Sequence, residues 1–214
     1  MSFIKPRGTV ELIFSYFRNR MNVRLDNQGT KKTAIFDSTL LLIQERGFHG
    51  TPISLIAKST GIAAATIYHY FESKDALIGE LYIYVKDKLA GAIVAGDQET
   101  EPYDERFRNY WVNQCTFFIE NPSFLYFLEQ YINSPFPKQF KGNESSLFRE
   151  KVIPFFAYGI ENGFIRKMDY ELLGPIVHGS IVAAAKFHLS GHHDFTTKRL
   201  YGMAEVIWDG IKAQ

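Results

Sequence analysis

The chain has 214 residues, 46% of them hydrophobic and 15% aromatic, enough apolar side chain to fill a sizeable core in one or two domains. Its formal net charge of +1 creates no bulk attraction to nucleic acid, and its single cysteine, Cys115, excludes an internal disulfide and a Cys-type zinc site, as suits a reducing cytoplasm. The longest apolar stretches, such as residues 176–185, are interrupted by His178 and Ser180 and fall short of the roughly 20 residues a bilayer requires, so no membrane span is expected.

The amino-terminal end is positively biased: through residue 32 the bases are Lys5, Arg7, Arg18, Arg20, Arg24, Lys31 and Lys32, against Glu11 and Asp26. Such an end either adds phosphate contacts or is a solvated tail. Met21 begins a run, MNVRLDNQGTKK, that reads as a short arm, with residues 1–20 as an upstream extension. Residues 1–29 are assigned to this arm.

Helical spacing dominates the rest. Phe36, Leu40 and Ile43 recur at i, i+4 and i+7 and predict a helix over 31–46, capped by Thr30 and closed by Gly47. Thr51 followed by Pro52 reads as an N-cap with proline at the first helical position, opening a short helix over 52–59 that Gly61 ends. A second short helix, 63–70, follows at once, and Ser73 caps a longer one to about residue 95. Downstream, helices are predicted over 102–120, 122–132, 144–162, 170–190 and 195–212, with residues 133–143, which carry two prolines and a glycine, as a loop. The architecture is all-α.

Two short helices joined at a tight glycine turn, here Thr60-Gly61-Ile62, form a helix-turn-helix, whose second helix enters the DNA major groove while the first braces it. Ile53, Ile56, Ala57, Ile62 and Ile67 would face a three-helix core, leaving Ala64, Ala65, Thr66, Tyr68 and His69 on or near the exposed side. Residues 31–77, KKTAIFDSTLLLIQERGFHGTPISLIAKSTGIAAATIYHYFESKDAL, resemble the DNA-binding domain of the tetracycline-repressor (TetR/AcrR) family, most specifically in GFHGTPISLIA and in the Tyr-x-Tyr-Phe-x-x-Lys core of the second segment. The resemblance implies a three-helix DNA-binding domain over 30–75 and a larger helical effector-binding and dimerisation domain over 76–214. It also implies that Ala64, Ala65 and Thr66 lie over base edges, that Tyr68, His69 and Lys74 hold phosphates, and that Thr51 approaches the DNA backbone. Ala63 and Ala64 depart from the polar residues usual at those positions, so base reading would depend on apolar contact, Thr66 and DNA shape.

Aromatic residues crowd 103–164, and most must be core. A pocket between helices would favour a hydrophobic or aromatic effector, with Trp111, Cys115, Phe118, Phe127, Tyr131, Phe155 and His178 as candidate lining. For His178, within an apolar helix, a satisfied core histidine is the default reading. His188, His192, His193 and Asp194 surround Gly191 and read as a polar loop rather than a metal site, and no cofactor is implied. The small-residue face of the penultimate helix (Gly179, Ala183) and the apolar face of the last (Tyr201, Ala204, Trp208) are candidate dimer contacts, since the family's last two helices form a four-helix interface that matches a palindromic double-stranded DNA operator. No nucleophile with a base, carboxylate pair or phosphate-binding glycine loop points to an enzyme. The remaining alternative is a family member that binds DNA without an effector, controlled by a protein partner or acting architecturally.

Overall fold

The computed structural model describes residues 28–139, 145–191 and 193–214, and the arm assigned to 1–29 lies outside them except for its last two residues. The described residues form helices and no strand; one isolated antiparallel bridge joins Ile165 and Lys212. Compact units divide at residue 78.

The first unit contains α1 (Gln28–Arg46), α2 (Ile53–Thr60), α3 (Ala64–Tyr70) and the start of α4 (Lys74–Ile93). Because α1 begins at Gln28, Thr30 lies inside its first turn and does not cap it. Ile35, Leu40 and Ile43 of α1 meet Ile56, Ile67, Phe71 and Leu77 in a core from which water is excluded, with the Phe36 and Phe71 rings 5.5 Å apart. Each such side chain contributes about 1.5–3 kcal/mol on burial, a decisive amount in so small a unit. Ala57 and Ile62, expected to face this core, are half-buried at its edge.

The cap of α2 differs from expectation. Pro52 occupies the N-cap, and its carbonyl accepts the Leu55 and Ile56 amides at 3.0 and 3.2 Å. Thr51 turns inward, fully buried, and its hydroxyl donates to the Gly47 carbonyl at 2.9 Å. Gly61 closes α2 at φ 71°, a left-handed conformation that glycine adopts without steric cost, and its amide donates to Ala57 at 2.9 Å. Ser73 caps α4 as its position predicts, its hydroxyl accepting the Ala76 amide at 3.0 Å.

The second unit holds the rest of α4, then α5 (Tyr103–Glu120), α6 (Pro122–Ile132), a single turn α7 (Phe136–Gln139), a π-helical turn (Phe148–Val152) leading into α8 (Ile153–Glu161), α9 (Tyr170–Leu189) and α10 (Thr197–Ile211). The predicted loop over 133–143 thus carries one helical turn, begun where the Ser134 hydroxyl accepts the Phe136 amide at 3.2 Å; residues 140–144 lie outside the described set. The wide turn before α8 suits Pro154, which offers no amide hydrogen to the carbonyl four residues back.

Helix α5 is the axis of this unit, and α9 and α10 both pack on it. At one end, Arg106 grips Asp97 with two hydrogen bonds of 2.8 Å, Tyr110 adds a third at 2.8 Å, and Tyr103 stacks on Phe155 at 4.5 Å while donating to its carbonyl at 3.0 Å. The Arg106 hydrogen bonds hold the Asp97 carboxyl below the usual carboxylate range. The chain end is tied in by the Arg166 amide on Ile211 at 2.9 Å and the Ala213 amide on Phe164 at 3.0 Å.

By length and composition α9 is apolar enough to cross a bilayer, which the interrupted stretches in the sequence did not suggest. Its hydropathy has a local origin. Leu173, Val177, Ile181, Ala184 and Ala185 are buried within the unit, while Leu172, Ile176 and Phe187 form a second, exposed apolar stripe.

Candidate functional site

In the first unit, α3 presents a small face to solvent. Ile67 is 0% exposed and anchors the helix, Phe71 closes its end, and the side chains around Ile67 reach solvent: Ala65 and His69 are exposed, Ala64 and Thr66 half-exposed, and Tyr68 is 54% exposed. The helix-turn-helix spacing produces this arrangement, because a seven-residue helix makes only two turns and one buried isoleucine fixes its rotation. Ala63 precedes α3 with no side-chain capping bond.

Two members of the expected contact set behave differently. Thr51 does not share the exposed face, since its hydroxyl is buried and bonded within the chain. The half-buried Lys74 directs its ammonium to the Phe48 carbonyl, and burial lowers its pKa.

In the second unit the seven candidate effector contacts separate into groups. Trp111, Cys115 and Phe118 share one buried face of α5, four and three residues apart. His178 of α9 reaches that face: its ring meets Phe118 edge-on at 6.1 Å, and its Nδ1 lies 2.9 Å from the Gln114 amide nitrogen, leaving the imidazole proton on Nε2. Burial, with the positive charge of Lys86, lowers the His178 pKa to about 4, so the ring is neutral at physiological pH. Burial likewise raises the Cys115 thiol to about 12, which leaves it protonated and inert. Phe127 and Tyr131 belong to α6, where Tyr131 stacks on Tyr82 at 4.2 Å. Phe155 sits apart in the aromatic cluster with Tyr103 and Tyr110.

A groove of about 610 Å³ runs along α10, floored by Trp111 of α5 and bounded on its other side by Ser180 of α9 and Phe195. Of the seven candidates, Trp111 alone lines it. Its indole donates to Ser180 at 2.9 Å, and Ser180 donates to the Val177 carbonyl at 2.7 Å, so the polar atoms beneath this apolar floor are satisfied. The α10 wall consists of Arg199, Gly202, Met203, Val206 and Ile207.

Burial divides the expected dimer contacts. Gly179 and Ala183 lie on the exposed stripe of α9, and Tyr201 is exposed with its hydroxyl on Asn109 at 2.6 Å. Ala204 and Trp208 are buried in the unit's own core, Trp208 beside Phe107 at 5.3 Å, and are unavailable to a partner. Val206, Met203 and Gly202 were missed because α10 has two apolar faces. Gly202, Val206 and Gly210, four residues apart, were the signal of the second, and a Cβ at either glycine would meet no atom within 4 Å. Around Gly191, the His188 Nδ1 accepts the Phe195 amide at 3.0 Å, and His192 lies outside the described residues.

Residues 35–81 match the family described as bacterial regulatory proteins, tetR family, and residues 102–212 match the tetracyclin repressor-like C-terminal domain. An uncharacterized HTH-type transcriptional regulator of Haemophilus influenzae is 34% identical over 101 residues, covering 47% of this chain and 54% of that protein. The chain thus spans about half the length of this relative and about a third of the length of other curated relatives it matches. A TetR-family regulator structure from Marinobacter aquaeolei superposes with a TM-score of 0.79 at 23% identity, covering 92% of this chain and 100% of the other. A putative TetR-family regulator from Vibrio parahaemolyticus does so with a TM-score of 0.73 at 28% identity, covering 86% and 100%.

Proposed function

This chain belongs to the TetR family of bacterial regulatory proteins, and from that premise we propose that it is a dimeric repressor, released from a palindromic DNA operator by a small hydrophobic or aromatic effector. Residues 30–75 form the DNA-binding domain in this reading, and residues 76–214 the effector and dimerisation domain. The observation that carries it is α3: a helix start of short side chains, exposed beside Tyr68 and held from behind by Ile67. Ala64, Ala65 and Thr66 then meet base edges, Ala64 and Ala65 offering methyl contact to thymine, while Tyr68 and His69 take phosphates.

The grooved face of α9 and α10 seats a second copy. Leu172, Ile176, Gly179, Ala183 and Phe187 make one stripe, Gly202 and Val206 the other, and glycines let partner helices approach closely. Twofold pairing would set the two α3 helices about 34 Å apart, one DNA turn. The aromatic interior of the second unit supports an apolar effector, and the neutral His178 with Gln114 supplies a polar anchor in it. Such a ligand releases DNA only by preferring the conformation that cannot bind it. As α4 is continuous across residue 78, it is the route for that preference. The protein would act in the cytoplasm, where its operator lies.

Selection of bound fragments from the source genome by the purified chain tests the reading. Tyr68→Ala should weaken the recovered site roughly tenfold for all sequences, and Thr66→Ala should relax discrimination at one position of each half-site. A wild-type chain that enriches no fragment, or a Tyr68→Ala variant that binds as tightly as wild type, counts against it. The effector is then sought as the apolar compound that dissociates the complex.

A further inference from the structure

The hydrogen bond from the Lys74 ammonium to the Phe48 carbonyl joins residues 26 apart in sequence, and the segment it closes contains all of α2 and α3. Both ends are anchored. At Phe48 the turn is fixed by the Gly47 amide on Ile43 at 2.8 Å, by the Thr51 hydroxyl on Gly47 at 2.9 Å, and by the Thr51 amide on Phe48 itself at 3.3 Å. Gly50 packs so closely that a Cβ there would sit 2.4 Å from the Arg46 carbonyl oxygen. At the other end Lys74 is the first residue of α4, and the intervening Phe71 is buried, with its amide on the last turn of α3 at 3.0 Å. Lys74 and the end of α3 are thus joined by a short segment that begins at a buried residue.

The electrostatics explain a lysine at this position. A cation in the first turn of a helix opposes the helix dipole, but Phe48 lies just beyond the carbonyl end of α1, whose partial negative charge offsets that penalty. Burial would otherwise make the ammonium costly, and the carbonyl gives it a partner.

We infer that Lys74 is a positioning residue of the DNA-binding unit: its ammonium clasps the Phe48 carbonyl and so sets the angle at which α2 and α3 meet DNA, instead of holding a phosphate. The inference rests on the DNA-binding reading above.

The test uses the full chain and its recovered operator, with dissociation constants measured from about 50 to 200 mM salt and backbone hydrogen exchange measured without DNA. Lys74→Met should bind about tenfold more weakly at every salt concentration with an unchanged log-log salt slope, because no phosphate partner has been lost. Exchange at residues 47–53 should quicken, with that of the α1 core unaltered. Lys74→Arg, which keeps a cationic donor, should restore slow exchange there. A Lys74→Met slope shallower by about 0.9, with exchange unchanged, overturns the inference in favour of a phosphate contact. Should Lys74→Met not fold, the wild-type ammonium decides by NMR: proton exchange already slow without DNA supports the clasp, whereas slowing only on DNA addition refutes it. A wild-type chain that binds no duplex sinks the functional reading itself, a result separable from all of these.

Discussion

Replacing Val206 with glutamate tests the proposed pairing face most directly. Val206 is 69% exposed, so within one chain most of its surface is still available for burial. Complete burial of such a side chain contributes about 1.5–3 kcal/mol, of which the exposed share is about 1–2 kcal/mol. Twofold symmetry counts it twice, giving about 2–4 kcal/mol per dimer, or roughly a 30- to 700-fold weaker association constant. The introduced carboxylate would also have to be desolvated among Gly202, Met203 and Ile207, which adds to that loss. Sedimentation velocity over a dilution series should show wild-type dimers at concentrations where Val206→Glu is monomeric, and operator affinity should fall with the dimer fraction. Ile132→Glu, 60% exposed but on α6, is the control and should leave association unchanged. Equal association of Val206→Glu and wild type would refute the assignment of this face, because nothing in the chain's own core is touched by the substitution.

Two further outcomes concern the second unit alone. Gly159→Ala places a Cβ 2.1 Å from the Tyr103 hydroxyl, forcing the ring off its stack with Phe155 and off the Phe155 carbonyl, so thermal denaturation should show a loss of about 1–3 kcal/mol. Because the Arg106 hydrogen bonds depress the Asp97 pKa, the pair stabilises the fold above the unfolded carboxyl value, near 3.9, and that contribution disappears as pH falls through the lower folded value. Asp97→Asn should therefore cost about 1–3 kcal/mol at neutral pH, and its deficit relative to wild type, followed by denaturant titration, should shrink below about pH 4. A deficit constant down to pH 2 would mean that the ion pair contributes nothing.

Helix ends were legible wherever one residue dictates the backbone locally. Gly61, Ser73, Pro122 and Gly163 each mark an end whatever surrounds them, which is why α2, α3 and α6 were placed to within a residue. Thr30 and Thr51 failed for the complementary reason. A threonine can cap a helix or return its hydroxyl to a carbonyl four residues back, and neighbours choose between these options: Thr51 donates to Gly47 because the chain turns tightly there. Lys74 was read as a phosphate contact, whereas in the DNA-free fold its ammonium lies on a carbonyl 26 residues away, which spacing along the chain does not reveal.

The amino-acid order by itself determined the helical class, the two short helices with the turn between them, and the outward face of α3, since a helix of two turns with one large aliphatic residue has only one way to turn. Tertiary structure decided which face of each long helix looks inward. Helix α10 carries two apolar stripes, and only the aromatic surface of α5 assigns Ala204 and Trp208 to the interior and leaves Val206 exposed. The same holds for the aromatic candidates: hydrophobicity marks a side chain for burial, whereas whether it lines a cavity depends on how closely the surrounding helices approach, a property of their packing and not of any residue alone.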